Sequence, residues 1–164
     1  FINEAVPIME LCHRYNVPLI INDRVNVAAE IHADGVHIGQ SDMDAAKARK
    51  ILGPDSIIGV TAKTVEQALK AQAEGADYLG SGAVFGTTTK SDAKPMDIDT
   101  LNAICDSVDI PVVAIGGINN DNVMKLSGSR IAGIAVVSGI FDNKDIKGAA
   151  QSLRAKALNI ISGR

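Results

Sequence analysis

Val112-Val113-Ala114-Ile115-Gly116-Gly117 and, about twenty residues later, Ile134-Ala135-Val136-Val137-Ser138-Gly139 are the stretches that decide the fold. Each is a β-branched run that stops at residues too small to cover their own backbone N–H groups. One short helix-like stretch separates them. A (β/α)8 barrel builds its usual phosphate site this way, from the loops after its last two strands and a following helix N-terminus. The pair therefore points to an architecture and a ligand class together: a barrel, and a phosphorylated small molecule.

Upstream, strand-like runs alternate with helical ones. Strands are expected at Pro18–Asn22, Gly35–Ile38, Ile57–Val60, Tyr78–Gly80, Val112–Ile115 and Gly133–Val137. Helices are expected near 25–31, 43–52, 64–74, 98–108 and 120–127, with a last one near 145–161. An amphipathic helix opens the chain, with Ile2, Val6, Met9 and Cys12 on one face. Thr64 with Gln67 forms a capping box, and Gly53 and Gly75 suit helix C-termini that need a left-handed residue. Alternating β and α units predict a parallel sheet with right-handed crossovers. A (β/α)8 barrel needs eight strands and about 200 residues or more. An open doubly wound sheet accommodates six strands, but no glycine-rich phosphate turn follows an early strand. The expected fold is thus α/β: a TIM (β/α)8 barrel, N-terminally incomplete, lacking the first two strands and forming a single domain over residues 1–164.

Composition narrows the function. Aromatics are 3% of the 164 residues and Trp is absent, so the core rests on Val, Ile, Leu and Ala, as in buried parallel sheets. Net charge is −3 with no basic run, which argues against nucleic acid as a partner. The apolar stretch Ile131–Phe141 is shorter than the roughly 20 residues a membrane span needs, and no signal peptide is visible. Cys12 and Cys105 lack metal spacing and read as reduced thiols in a cytoplasmic protein.

Polar residues recur at the C-terminal ends of the strands, where barrels carry their sites. They are Asn22-Asp23-Arg24, His37 with Gln40 and Asp42, Thr61, the loop Thr87-Thr88-Thr89-Lys90, Gly117, and Ser138. Asp23 and Asp42 come from adjacent strand ends and suit Mg2+, which prefers hard oxygen ligands and keeps waters and phosphate oxygens. A helix N-cap is the simpler role for either. The Thr87–Lys90 loop offers hydroxyls and a cation to phosphate, or is a solvated loop. His37 reads as a buried, satisfied histidine ahead of a catalytic one. Thr61 is a site hydroxyl or a cap on the next turn.

The series Ile20-Ile21-Asn22-Asp23-Arg24, Ala33-Asp34-Gly35-Val36-His37-Ile38-Gly39-Gln40 with Asp42, Ile58-Gly59-Val60-Thr61, Gly82-Ala83-Val84-Phe85 leading to Thr87-Thr88-Thr89-Lys90, Ala114-Ile115-Gly116-Gly117-Ile118 and Val136-Val137-Ser138 resembles the thiamine-phosphate synthase (thiamine-phosphate pyrophosphorylase) family. The likeness spans nearly the whole chain and keeps order and spacing. It implies a transferase that joins a pyrimidine methyl diphosphate to a thiazole phosphate and releases pyrophosphate. By the same resemblance, Asp23 and Asp42 hold magnesium, and Asn22 and Lys90 contact the pyrimidine diphosphate. Thr61 stands at the pyrimidine. Thr87, Thr88, Thr89, Gly117, Val137 and Ser138 take the thiazole phosphate. Lys90 and Thr61 are the expected catalytic residues, acting on a reaction thought to pass through a pyrimidine cation captured by the thiazole nitrogen.

Three departures accompany the likeness. Gly86 stands where the family usually has Pro, which is expected to loosen the loop. Thr61 replaces Ser. The family's second strand, with its Gln, Arg and Lys cluster for the diphosphate, has no counterpart here. The alternatives are a thiazole tautomerase-like protein and a non-catalytic barrel fragment that needs a partner segment. On the truncated reading, exposed strand edges favour a homo-oligomer and the chain alone is inactive.

Overall fold

Residues 1–86 and 95–163 are described by the computed structural model. They fall into two units: Phe1–Thr61 with Lys70–Tyr78, and Ala62–Leu69 with Leu79–Arg164. The first unit holds α1 (Ile2–Arg14), β1 (Ile20–Asn22), α2 (Val25–Ile31), β2 (Gly35–Ile38), α3 (Ala45–Leu52), β3 (Ile57–Thr61) and the end of α4 (Val65–Ala73). The second holds the start of α4, β4 (Tyr78–Gly82, without its first residue), α5 (Ile98–Ser107), β5 (Val112–Ile115), a 3-10 turn at Val123–Leu126, β6 (Gly133–Ala135), α6 (Ser138–Phe141) and α7 (Ile146–Ser162). Strands are parallel and follow chain order within each unit. An α/β architecture with six strands is what the sequence leads one to expect. No helix among the described residues is long and apolar enough to cross a membrane.

In the first unit, register separates chemistry from packing. Ile21, Val36 and Ile58 pair in one row, and Asn22, His37 and Gly59 in the next. Successive side chains point to opposite faces of a strand. Ile21, Val36, Ile38, Ile58 and Val60 are therefore buried on one face, against α2 and α3. Asn22, His37 and Thr61 stand on the other.

Two Ala-Asp pairs fasten the strand starts. Asp34, just before β2, accepts the Leu19 N–H at 2.7 Å and lies 2.8 Å from His13 Nε2. Asp77, just before β4, accepts the Ile58 N–H at 2.7 Å and the Arg49 guanidinium at 2.7 Å. Arg49 also donates to the carbonyls of Pro54, Ser56 and Gly75, tying the end of α3 to the start of β3.

Local signals mostly act as the sequence indicates. Thr64 Oγ1 accepts the Gln67 N–H at 3.2 Å, while Gln67 Oε1 reaches back to the Lys63 N–H at 2.7 Å, one residue before the expected position. Gly53 and Gly75 take positive φ. The strand expected from Pro18 begins at Ile20, because Pro18 has no N–H to give and the Leu19 N–H is committed to Asp34. The helix expected near 120–127 shrinks to the 3-10 turn. Asn119 Oδ1 accepts the N–H groups of Asp121 and Asn122, and Asn122 Oδ1 accepts that of Asn119. These side-chain bonds hold the segment in turns instead.

Replacing Asp77 with Ala leaves the Ile58 N–H without its acceptor and Arg49 without its anion. The expected cost is about 1–2 kcal/mol, read as a lower midpoint in urea denaturation. A midpoint equal to the parent's would remove this anchor from the account.

Candidate active site

In the first unit the polar face of β1–β3 gathers four of the expected site residues near the C-terminal strand ends. Asn22 ends β1 beside His37. The Asp23 N–H donates to the His37 carbonyl at 2.7 Å, so Asp23 stays fastened to β2 after β1 has ended. Its φ is 63°, a left-handed conformation that Asp and Asn tolerate better than most side chains. Asp42 Oδ2 accepts the Gly39 N–H at 2.7 Å, and the Asp42 N–H returns to the Gly39 carbonyl at 3.2 Å. Asp23 and Asp42 are thus anchored on residues 37 and 39 of the same strand end, and both are exposed.

Neither aspartate caps a helix. Asp44 caps α3 by accepting the Lys47 N–H at 2.8 Å, and α2 begins after Arg24 without a side-chain cap. Among the described residues no group of three or more His, Cys, Asp and Glu side chains gathers as a metal cage. Two exposed carboxylates flanking one strand end are instead a partial oxygen set. That fits Mg2+, whose remaining positions go to water and substrate phosphate.

Thr61 ends β3, and its hydroxyl lies 3.0 Å from His37 Nε2. His37 Nδ1 lies 3.0 Å from the Tyr78 hydroxyl. Gln40 Nε2 donates to the Thr61 carbonyl at 2.5 Å. The Tyr78 ring occupies the space over Gly59, where a Cβ would come within 2.1 Å of it. Burial pushes the Tyr78 hydroxyl pKa upward. His37 is therefore satisfied at both ring nitrogens and half-buried, as expected. Tyr78 escaped the sequence reading. Its nearest sequence signal is Gly59, which stands opposite His37 in the β2–β3 register.

The second unit brings the two glycine-ended strands together. Gly117 has φ 66°, and a Cβ there would meet the Gly86 and Phe85 carbonyl oxygens at 2.5 and 2.7 Å. Asn122 Nδ2 donates to the Gly117 carbonyl at 2.8 Å. Asn120 anchors the same loop to α7 through Ser152 Oγ and Lys156 Nζ, both at 2.7 Å. After β6 the chain turns at Val137 into α6, which starts at Ser138. This turn is why β6 stops short of the expected Val137. Gly139 lies against the residue after Gly117: a Cβ there would be 2.3 Å from the Ile118 carbonyl oxygen. The loops after β5 and β6 thus meet at Gly139 and Ile118.

Thr87, Thr88, Thr89 and Lys90 lie outside the described residues. Gly86 does not: its φ is 73°, closed to proline, whose ring holds φ near −65°.

The family model for thiamine monophosphate synthase matches residues 1–140. The chain belongs to the thiamine monophosphate synthase family. It is 54% identical over 153 residues to the thiamine-phosphate synthase of Ruminiclostridium cellulolyticum, covering 93% of this chain and 73% of that protein. It is 52% identical, with the same coverage, to that of Clostridium tetani. Among solved structures it resembles a thiamine phosphate pyrophosphorylase from Pyrococcus furiosus, with TM-score 0.88 and 38% identity over 98% of this chain and 79% of that one. The family indicated by the motif series is the one matched.

Replacing Gly139 with Ala forces a Cβ into the Ile118 carbonyl. We expect a destabilisation of about 1–3 kcal/mol, measured as a lower Tm. An unchanged Tm would show that the two loops do not approach as closely as described.

Proposed function

We infer that this chain is a transferase that couples a pyrimidine methyl diphosphate to a thiazole phosphate, giving thiamine phosphate and pyrophosphate. Its six strands are read as consecutive strand–helix units of a (β/α)8-type barrel, working in the cytoplasm. The observation that carries the inference is the polar face of the first unit. Asn22, Asp23, Asp42 and Thr61 stand at the ends of three neighbouring parallel strands, the usual place for barrel chemistry.

On this reading the first unit takes the pyrimidine diphosphate. Asn22 binds its diphosphate and Thr61 meets an acceptor on the same substrate. Asp23 and Asp42 hold Mg2+. When bound, that ion neutralises charge developing on the departing diphosphate oxygen. Lys90 adds a cation to the same task. The second unit takes the thiazole phosphate, with Thr87, Thr88 and Thr89 joining Gly117, Val137 and Ser138 as its binding groups. No protein nucleophile is required. The chain orients two substrates and stabilises charge, and orientation alone can supply much of a bimolecular barrier.

Support for the phosphate assignment comes from the backbone. Gly139, at the start of α6, packs against Ile118, the residue after Gly117. We therefore expect Ser138→Ala to change thiazole phosphate affinity by less than about twofold, because the substitution leaves every backbone N–H in place and removes only a hydroxyl outside the donor set. A loss of affinity far beyond that, measured by calorimetry, would move the burden to the hydroxyl.

The direct test is formation of thiamine phosphate and pyrophosphate from the two substrates with Mg2+ present. Asn also tolerates the left-handed backbone at position 23, so Asp23→Asn changes charge without changing backbone preference. It should lower kcat by about a hundredfold or more and leave thiazole phosphate binding nearly intact. Equal losses in both would sink the assignment of Asp23 to the diphosphate.

A further inference from the structure

Thr61, His37 and Tyr78 form a chain of two hydrogen bonds, each 3.0 Å long, and its direction can be worked out from the Tyr78 end. Among the described residues, the Tyr78 hydroxyl has one hydrogen-bond partner, His37 Nδ1. The hydroxyl is protonated at neutral pH, since burial moves its pKa upward. A buried phenol O–H without an acceptor costs free energy. Its one acceptor here is the Nδ1 lone pair. A neutral imidazole has one donor and one acceptor nitrogen. Once Nδ1 accepts, the proton resides on Nε2, and Nε2–H donates to Thr61 Oγ1. The Thr61 hydroxyl then has its own hydrogen left to give.

We propose that Tyr78 and His37 are positioning residues that fix the Thr61 hydroxyl as a hydrogen-bond donor toward an acceptor atom of the pyrimidine diphosphate. This rests on the synthase reading for its substrate, but the internal polarity of the chain stands without it. With the opposite tautomer, Thr61 would spend its hydrogen on His37 and offer the substrate only lone pairs. Those would repel a ring nitrogen or a phosphate oxygen alike. The fold supports the arrangement sterically. Gly59 leaves room for the Tyr78 ring, the His37 and Tyr78 ring centroids are 5.5 Å apart, and the Gln40 amide holds the Thr61 carbonyl. The methyl group of Thr61, absent from serine, further restricts its χ1 rotation.

Two measurements on the full chain decide the matter. Nitrogen-15 NMR of the neutral His37 imidazole should show the Nε2–H tautomer in the parent protein. The Nδ1–H tautomer would overturn the proposal whether or not the protein is a synthase. In steady-state kinetics, Tyr78→Phe keeps the ring over Gly59 and removes the hydroxyl. It should lower kcat about tenfold, the equivalent of about 1.4 kcal/mol, with KM for thiazole phosphate changed by less than about twofold. In a Thr61→Val background the same change should cost less than about twofold, because residues acting through one group are not additive. A tenfold loss in both backgrounds, or none in either, refutes the positioning role. If the parent chain shows no turnover, the tautomer alone decides the positioning role.

Discussion

The missing side chain at Gly59 is the constraint on which the first unit's chemistry depends. Any Cβ there would lie within 2.1 Å of the Tyr78 ring. With it gone, the ring lies across β3 and its hydroxyl reaches His37. His37 in turn is held to Thr61, and its backbone carbonyl receives the Asp23 N–H. One glycine thus lets a single histidine organise residues from three strands. A larger residue would displace the Tyr78 hydroxyl from His37 Nδ1.

The second unit solves a different problem: how to hold the ends of two neighbouring strands close together. Gly117 and Gly139 allow the ends of β5 and β6 to approach to distances that Cβ atoms would forbid. Asn119, Asn120 and Asn122 then fasten that junction to itself and to α7. The side-chain bonds replace the regular helix expected over this segment. Order is retained, because each asparagine trades a helical hydrogen bond for a turn-forming one.

The two units also show how a parallel strand divides its labour. In β2, Val36 and Ile38 are buried while His37 between them faces the polar side. Packing and function occupy alternate residues, so His37 can act without disturbing the apolar layer beneath α2 and α3. The Ala-Asp pairs before β2 and β4 extend the same economy to the strand starts. A carboxylate there accepts an N–H of the preceding strand's segment.

From the sequence alone came the order of strands and helices and the α/β class, because hydrophobic periodicity and glycine punctuation are local and additive signals; the family came from the resemblance that the motif series carries. Asn22, Asp23, Asp42 and Thr61 were legible as strand-end polar groups. Tyr78 was not, since nothing local distinguishes it from an ordinary tyrosine opening a strand. Nor could spacing decide whether Asp42 caps a helix; the backbone path gives the α3 cap to Asp44. The early end of β6 and the Gly139 contact with Ile118 likewise became visible only in three dimensions. Each depends on close approach between residues distant in the chain, and such approaches are set by packing, which no window of sequence contains.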